Sequence, residues 1–580
     1  MPTIIEIQSP LKIALTLNNF TGVEKISSPF QFEVEMRSDK AVSVTPQEVI
    51  GKNMTVTLEL PENKKRYFSG IISAFSFGKF NERFTYHVTL IPSLALLRFR
   101  KNSRIFQQKT VKQILEQILS EHHISAQYKI NGTLSKIEYC VQYQETDFDF
   151  ISRLLEQAGI FYCFKHEKNN HKLIFSDNTQ MYEESITHAG HLSSQGTYAQ
   201  LKTWEVNYAF FTGAIAHNAH DFTAPDKKLL SKKTTQKSAG NNSQYEMYIY
   251  PGSHDTTQKG ETLNTLSLEQ HETQAILGHG ESTYSTLGPC STITLDNKQF
   301  AADKNKKYAV IEIHHQINMN YEDQLVYHNT FKSIPATRIF RSHLGLQKPH
   351  APSTQLAVIV GPKGKELYTD KYGRLKVHFY WDRDSKKNES SSCWIRTAQH
   401  WEGVLRIGTP VIVGFIDDDI DHPIILGPMH DANMMPLYAL DGEQTKSAIK
   451  RRCPKKDIEK TYNEIRFEDK KDKQELYVYA SKDLVITVEN DSTQTVKKGN
   501  YLLKVKGDVT IQADGAMTFE AKKDITLSAQ NITLKAKSKL TQEATNIAHT
   551  AKAKIETKGA MQNMEADGVV TIKGSLIKEN

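Results

Sequence analysis

Residues 508–536, DVTIQADGAMTFEAKKDITLSAQNITLKA, alternate apolar and polar positions in short bursts. The apolar pairs are Val509/Ile511, Met517/Phe519, Ile525/Leu527 and Ile532/Leu534, and they start eight, eight and then seven residues apart. A period of two marks a strand, and each strand here is only about five residues long. The pattern begins at Leu484/Ile486/Val488 and Tyr501/Leu503/Val505. It weakens through Leu540, Ile547, Ile555 and Met561, then ends in GVVTIKGSLIKEN. No proline occurs from residue 455 onward. Proline cannot donate to a β-ladder, so its absence suits one continuous stack of strands.

A repeat of this kind usually builds a solenoid that encloses its own core. Opposed sheet faces must stand about 10 Å apart, and a repeat this short makes one side of such a tube without going round it. Three chains, each giving one strand per level and crossing to the next face at every repeat, close a triangular prism. About a dozen levels at ~4.8 Å predict a shaft on the order of 60 Å long. The inward residues Val509, Ile511, Met517, Phe519, Ile525, Leu527, Ile532 and Leu534 then form a trimer core. A flat meander of one chain is the alternative, and it would expose an apolar face along its whole length.

Upstream, residues 1–110 read as strands in QFEVEMRS, MTVTLEL, YFSGIISAFSF and FTYHVTLIPSLALL. Helices are predicted at 110–122 with Thr110 as cap, within 145–164 with Thr146 and Asp149 at its start and Gly159 stopping it before the strand IFYCF, and at 262–278. The Pro-rich stretch 344–355 reads as a linker. Five closely spaced strands after it (LAVIVG, RLKVHFYW, SCWIRTAQ, TPVIVGFI and HPIILGPM) predict a small closed barrel of the oligonucleotide/oligosaccharide-binding (OB) type. The fold class is therefore mainly β, with an α+β N-terminal region, a barrel, and an intertwined trimeric β-helix.

Composition adds exclusions. With 580 residues, 38% hydrophobic and 24% charged, the chain is an ordinary multidomain protein, and its net charge of +7 is too small to imply a general nucleic-acid surface. Cys140, Cys163, Cys290, Cys393 and Cys453 are odd in number and never form a C-x-x-C pair, which argues against a disulfide framework or a zinc ribbon. The N-terminus lacks a signal-peptide pattern, so the general secretory route is not expected. HETQA at 271–275 opens like a zinc-protease motif but ends in Ala275, so His271 reads as a surface helix residue. The carboxylates Asp417, Asp418, Asp419 and Asp421 could bind calcium or serve a glycosidase; a solvated turn is the plainer reading. GRLKVHFYWDR at 373–383 interleaves basic and aromatic residues. Alternation sends Val377, Phe379 and Trp381 into the barrel, which leaves only Tyr380 for base stacking. No catalytic residue, metal ligand or cofactor is assigned.

Several segments together resemble the VgrG spike proteins of type VI secretion systems. They are YQETDFDFISRLLEQAGIFYCF, YIYPG at 248–252, AVIVGPKGKELYTDKYGRLKVHFYWDRD at 357–384, SSCWIRTAQHWEG at 391–403 and YNEIRFEDKKDKQELYVYASKD at 462–483. The chain departs from that family in a short loop between Trp401/Gly403 and Arg406–Gly408, and in having few Val-Gly repeats. The resemblance implies a phage tail-hub-like region over 1–345, a linker at 346–356, an OB domain at 357–436, a connecting segment at 437–480 and a trimeric β-helix over 481–580. It implies a homotrimer on the Hcp tube, capped by a PAAR-type tip protein, held by baseplate components and carrying effector cargo across a target membrane. Such a protein assembles in the cytoplasm and is then translocated. Val570, Ile572, Leu576 and Ile577 are expected under the tip protein; no lytic domain is expected in the segment 437–480 between barrel and shaft, and no toxic enzyme beyond the shaft. The alternatives are a carbohydrate-active β-helix enzyme using the 417–421 carboxylates, or the spike of another contractile injection particle.

Overall fold

The computed structural model describes residues 5–60, 64–80, 83–189, 200–237, 239–295, 303, 305–319, 324–345, 348–398, 403–452 and 461–579. Trp401, Cys453 and linker residues 346–347 lie outside them. The chain divides into two compact units, 1–485 and 486–580.

A 12-stranded sheet organises the first unit. Its N-terminal strands join Lys307–Met319 where Thr16–Lys25 pairs antiparallel with it, from Glu312 opposite Lys25 to Ile317 opposite Phe20. The core beneath the N-terminal strands is apolar and aromatic, with Phe20, Phe32, Phe68, Leu90 and Phe150 fully buried. The seam buries a charge, and its partners are all present. Glu24 accepts from Arg66 Nη2 at 2.7 Å and pairs with His166 Nε2 at 3.1 Å and His315 Nε2 at 2.9 Å. Burial alone would raise the Glu24 pKa. Attraction to His166 and Arg66 and the histidine hydrogen bonds hold it well below the usual range.

Helices form where sequence caps them. Thr110 accepts the Gln113 N–H while Gln113 reaches back to the Thr110 N–H, and Val111–Glu121 follows with Ile114, Leu115 and Ile118 buried. Thr146 caps Asp147–Gln157 by accepting from the Asp149 N–H, and Gly159 ends the turn at φ +67°. The third helix differs from the expected 262–278. It runs Thr257–Gln274, because Thr256 caps it earlier and Ile276–Ser282 is already a strand of the large sheet.

Residues 355–428 form a closed barrel. The strands lie in the order Lys376–Phe379, Gln355–Val360, Pro410–Phe415, Pro423–Pro428, Arg396–Thr397. A two-hydrogen-bond bridge between Leu375 and Ile395 joins the two ends. The first strand begins at Gln355, inside the stretch read as linker. Ala357, Ile359, Val377, Phe379, Val411, Val413 and Ile425 fill the interior. Residues 437–480, expected to be only a connection, hold an antiparallel sheet of Lys446–Arg452, Tyr462–Glu468 and Glu475–Tyr479.

Candidate functional site

The second unit carries the feature that most needs a partner. From 481 to 579 every residue is exposed, and among the described residues of this span no strand pairs with another strand of the same chain. From 489 onward regular bends punctuate the span, at 489–490, 497–499, 506–507, 514–515, 522–523, 530, 537–538, 545, 552–553, 560, 567–568 and 575. Each apolar pair expected from the sequence sits two and four residues after a bend, from Val509/Ile511 after 507 to Ile532/Leu534 after 530. These eight side chains are exposed between 44% (Met517) and 70% (Phe519 and Leu527) in the single chain.

A third member of this face carries little hydrophobic signal and is missed by pairwise pattern reading. The residue immediately before each bend is Val488, Val496 and Val505 in the first repeats. It is then Ala513, Ala521, Ala529, Ala536, Ala544, Ala551 and Ala566, with Gly559 and Gly574 in the same row. Strand alternation places this residue on the same face as the apolar pair, just where the ribbon turns. The inside of a corner has the least room, so small residues belong there. The opposite face, one, three and five residues after a bend, is mostly Thr, Lys, Asp, Glu, Asn and Ser. Apolar side chains reach it near the C-terminus at Met561, Val569 and Leu576, exposed 85%, 86% and 73%. Of the expected tip residues, Val570, Ile572 and Ile577 share the register of the eight paired residues, whereas Leu576 follows directly after the bend at 575 and takes the other face.

A second unpartnered apolar face belongs to the first unit. Cross-strand rows Ile449–Ile465–Val478 and Phe467–Leu476 lie on one face of the 446–479 sheet, and all five side chains are exposed. The other face carries Lys450 stacked 4.1 Å over Tyr462 and Arg466 4.3 Å over Tyr477.

The chemistry-bearing candidates elsewhere hold structural positions. Asp419 and Asp421 grip Lys348 at 2.6 and 2.5 Å, and Asp421 also accepts the Val141 N–H at 2.6 Å, so this turn fastens linker and hub to the barrel. Burial would raise the Asp419 pKa, but His422 and Lys348 hold it far below its ordinary value. Asp417 and Asp418 are exposed, both at left-handed φ, 54° and 57°. His271 is half-buried with its ring 6.2 Å from that of His343. In the barrel, Val377 and Phe379 are buried, Trp381 packs against the same core and Tyr380 is exposed, as alternation predicts. His378 differs from that alternation, being buried with Nδ1 2.8 Å from Ser385 Oγ.

Comparison with known proteins places this geometry. The phage tail baseplate hub (GPD) family matches residues 23–321, and the bacteriophage T4 gp5 C-terminal trimerisation domain matches 447–567, which takes in the exposed rows of the 446–479 sheet and most of the second unit. The Pseudomonas aeruginosa type VI secretion system spike protein VgrG1b is 34% identical over 518 residues, 85% of this chain and 69% of the relative. VgrG1a of the same organism is 32% identical over 518 residues, 85% of this chain and 80% of that one. In solved structures, an Escherichia coli type VI secretion component described as similar to T4 tail proteins gp27 and gp5 covers 73% of this chain and all of its own. It has a TM-score of 0.55 and 21% identity, a likeness of fold.

Proposed function

This chain belongs to the VgrG family of type VI secretion system spike proteins, and from that premise we propose how its parts divide the work. Three copies wind residues 481–580 into a triangular prism with Val509, Ile511, Met517, Phe519, Ile525, Leu527, Ile532 and Leu534 at its core. The carrying observation is the regular, exposed apolar face that finds no partner strand within its own chain. Burying such a face against two other copies removes it from water, whereas a lone chain leaves it wet. The exposed rows of the 446–479 sheet extend the same demand upstream.

The hub region docks on the Hcp tube with baseplate components around it, the barrel of OB type joins hub to shaft, and the shaft transmits axial force. Open strand edges at the tip, with Val570, Ile572 and Ile577 as the last inward layer, receive a PAAR-type protein. Leu576, with Val569 and Met561, offers that partner or effector cargo an apolar side contact. The chain assembles in the cytoplasm and leaves by the secretion machine; among the described residues no helix is long and apolar enough to cross a membrane. We read the protein as a mechanical part with no reaction of its own. The carbohydrate-enzyme alternative draws its acids from the 417–421 turn, and Asp419 and Asp421 there are engaged by Lys348. Light scattering on the purified chain tests the reading, with a trimeric mass expected. Deleting residues 567–580 should leave a soluble trimer that no longer retains its tip protein in a pull-down. A folded monomer, or retention after deletion, contradicts the respective part.

A further inference from the structure

The bend register sorts the shaft interior residue by residue, and one stretch of it is polar. Four residues after each bend, the inward row reads Ile511, Phe519, Leu527 and Leu534, then Gln542, His549 and Thr557, before Met564 and Ile572 resume the apolar run. In a trimer each of these side chains recurs three times at one level, and neighbouring levels are about 4.8 Å apart. His549 therefore becomes a ring of three imidazoles, with Gln542 on one side and Thr557 on the other. Imidazole is smaller than the Phe519 ring that occupies the same row, so it fits the slot.

A neutral imidazole has one N–H and one bare nitrogen, and both need partners when buried. Backbone groups of the prism point along the ladders, so none turns inward to help. With their N–H groups turned to Gln542 or Thr557, the three bare nitrogens converge on the axis, whereas three protonated rings would repel. A divalent transition-metal cation is the partner that three converging imidazole lone pairs accept. Each ring's remaining N–H can donate to the Gln542 amide oxygen or the Thr557 hydroxyl one level away, the kind of outer contact that orients metal-bound histidine. Among the described residues of the single chain no group of three His, Cys, Asp or Glu could hold a metal. The threefold repetition creates the site.

We propose that His549 from three copies of this chain forms an axial binding site for a divalent first-row transition-metal ion inside the shaft. The inference rests on the trimeric reading given above. The test uses the full chain without a polyhistidine tag, with mass from light scattering and metal content from elemental mass spectrometry, before and after incubation with zinc, nickel or ferrous iron alone followed by desalting. The expected result is a trimer holding about one ion per three chains. His549→Leu, matching Leu527 and Leu534 in the row, should stay trimeric and lose at least about tenfold of the metal. His549→Gln, matching Gln542, gives the same reading should the leucine variant fail to assemble. The double variant His549→Leu, Thr550→His moves the imidazole to the outer face and should also be metal-free. A wild-type trimer that holds less than a tenth of the expected metal after every incubation overturns the site and leaves the trimer intact. So does a leucine or glutamine variant that keeps its metal. A monomeric wild-type chain overturns the trimeric reading itself, and the site with it.

Discussion

His171 shows what a single half-buried ring asks of the hub. It lies in the strand Asn170–Ser176, edge-on to Phe30 and Phe164 at 5.3 and 5.8 Å, and its Nε2 accepts the Ser93 N–H at 3.2 Å. Accepting at Nε2 requires that nitrogen to be unprotonated. Burial, with the neighbouring His166, pushes the pKa from 6.5 down to about 4. A histidine held this low binds its proton in the unfolded chain before it does so in the folded one. Its contribution to stability is complete above about pH 6.5 and fades as pH falls toward 4, by on the order of 3 kcal/mol. His315, lowered chiefly by burial, acts in the same direction and window, and Glu24, held well below its ordinary value, extends the loss to pH below about 4.5. Chemical unfolding of the hub should therefore show stability falling on acidification between pH 6.5 and 4. His171→Gln keeps an acceptor for Ser93 and removes the titration, so its curve should be flatter across that window. An unchanged slope would show that the ring is not the sensor.

At the scale of the element, the shaft repeat is governed as much by its small residues as by its large ones. Ala529 sits immediately before the bend at 530, in the row that is alanine or glycine from Ala513 onward. Ala529→Leu places three extra isobutyl groups at one corner level. Overpacking of this kind costs typically about 1–3 kcal/mol per site. Ser528→Leu, one residue earlier on the outer face, should change stability by less than about 0.5 kcal/mol. Thermal dissociation of the trimer should separate the two, and equal melting would refute the corner assignment. The large residues proposed for the core were picked out by alternation alone because Ile, Leu, Met and Phe stand out against Thr and Lys. The alanine row was not, because alanine contrasts weakly with its neighbours and its meaning appears only once bends are located. The first two helices were readable from Thr110 and Thr146 for a similar local reason. The third shifted because Thr256 is an equally good cap and Ile276–Gly278 fits a strand as well as a helix end. The pairing of Thr16–Lys25 with Lys307–Met319, and the grip of Asp421 on Val141 across 280 residues, left no local trace. Nothing in IDDDIDHP distinguishes a latch from a catalytic turn.

For the whole molecule, the two units differ in where their cores come from. The first buries its own phenylalanines, leucines and isoleucines, and the second buries none of its apolar residues within one chain. A change inside the shaft should therefore unmake the shaft and spare the hub. Ile525→Asp sets three carboxylates at one level of an apolar interior, where each ionised group costs several kcal/mol to desolvate and the three repel. Thr526→Asp introduces the same charge one residue on, at an outward position that water reaches. Limited proteolysis separates these outcomes in one experiment, because cleavage requires an extended, unpaired backbone. Wild type and Thr526→Asp should remain intact under conditions where Ile525→Asp is trimmed to a resistant fragment ending near residue 485, the limit of the first unit. That fragment should retain the hub's cooperative melting, since none of its buried side chains comes from the lost segment. Equal resistance of the two aspartate variants would mean that inner and outer faces are not distinguished. The shaft would then have to be stabilised by something other than burial between chains.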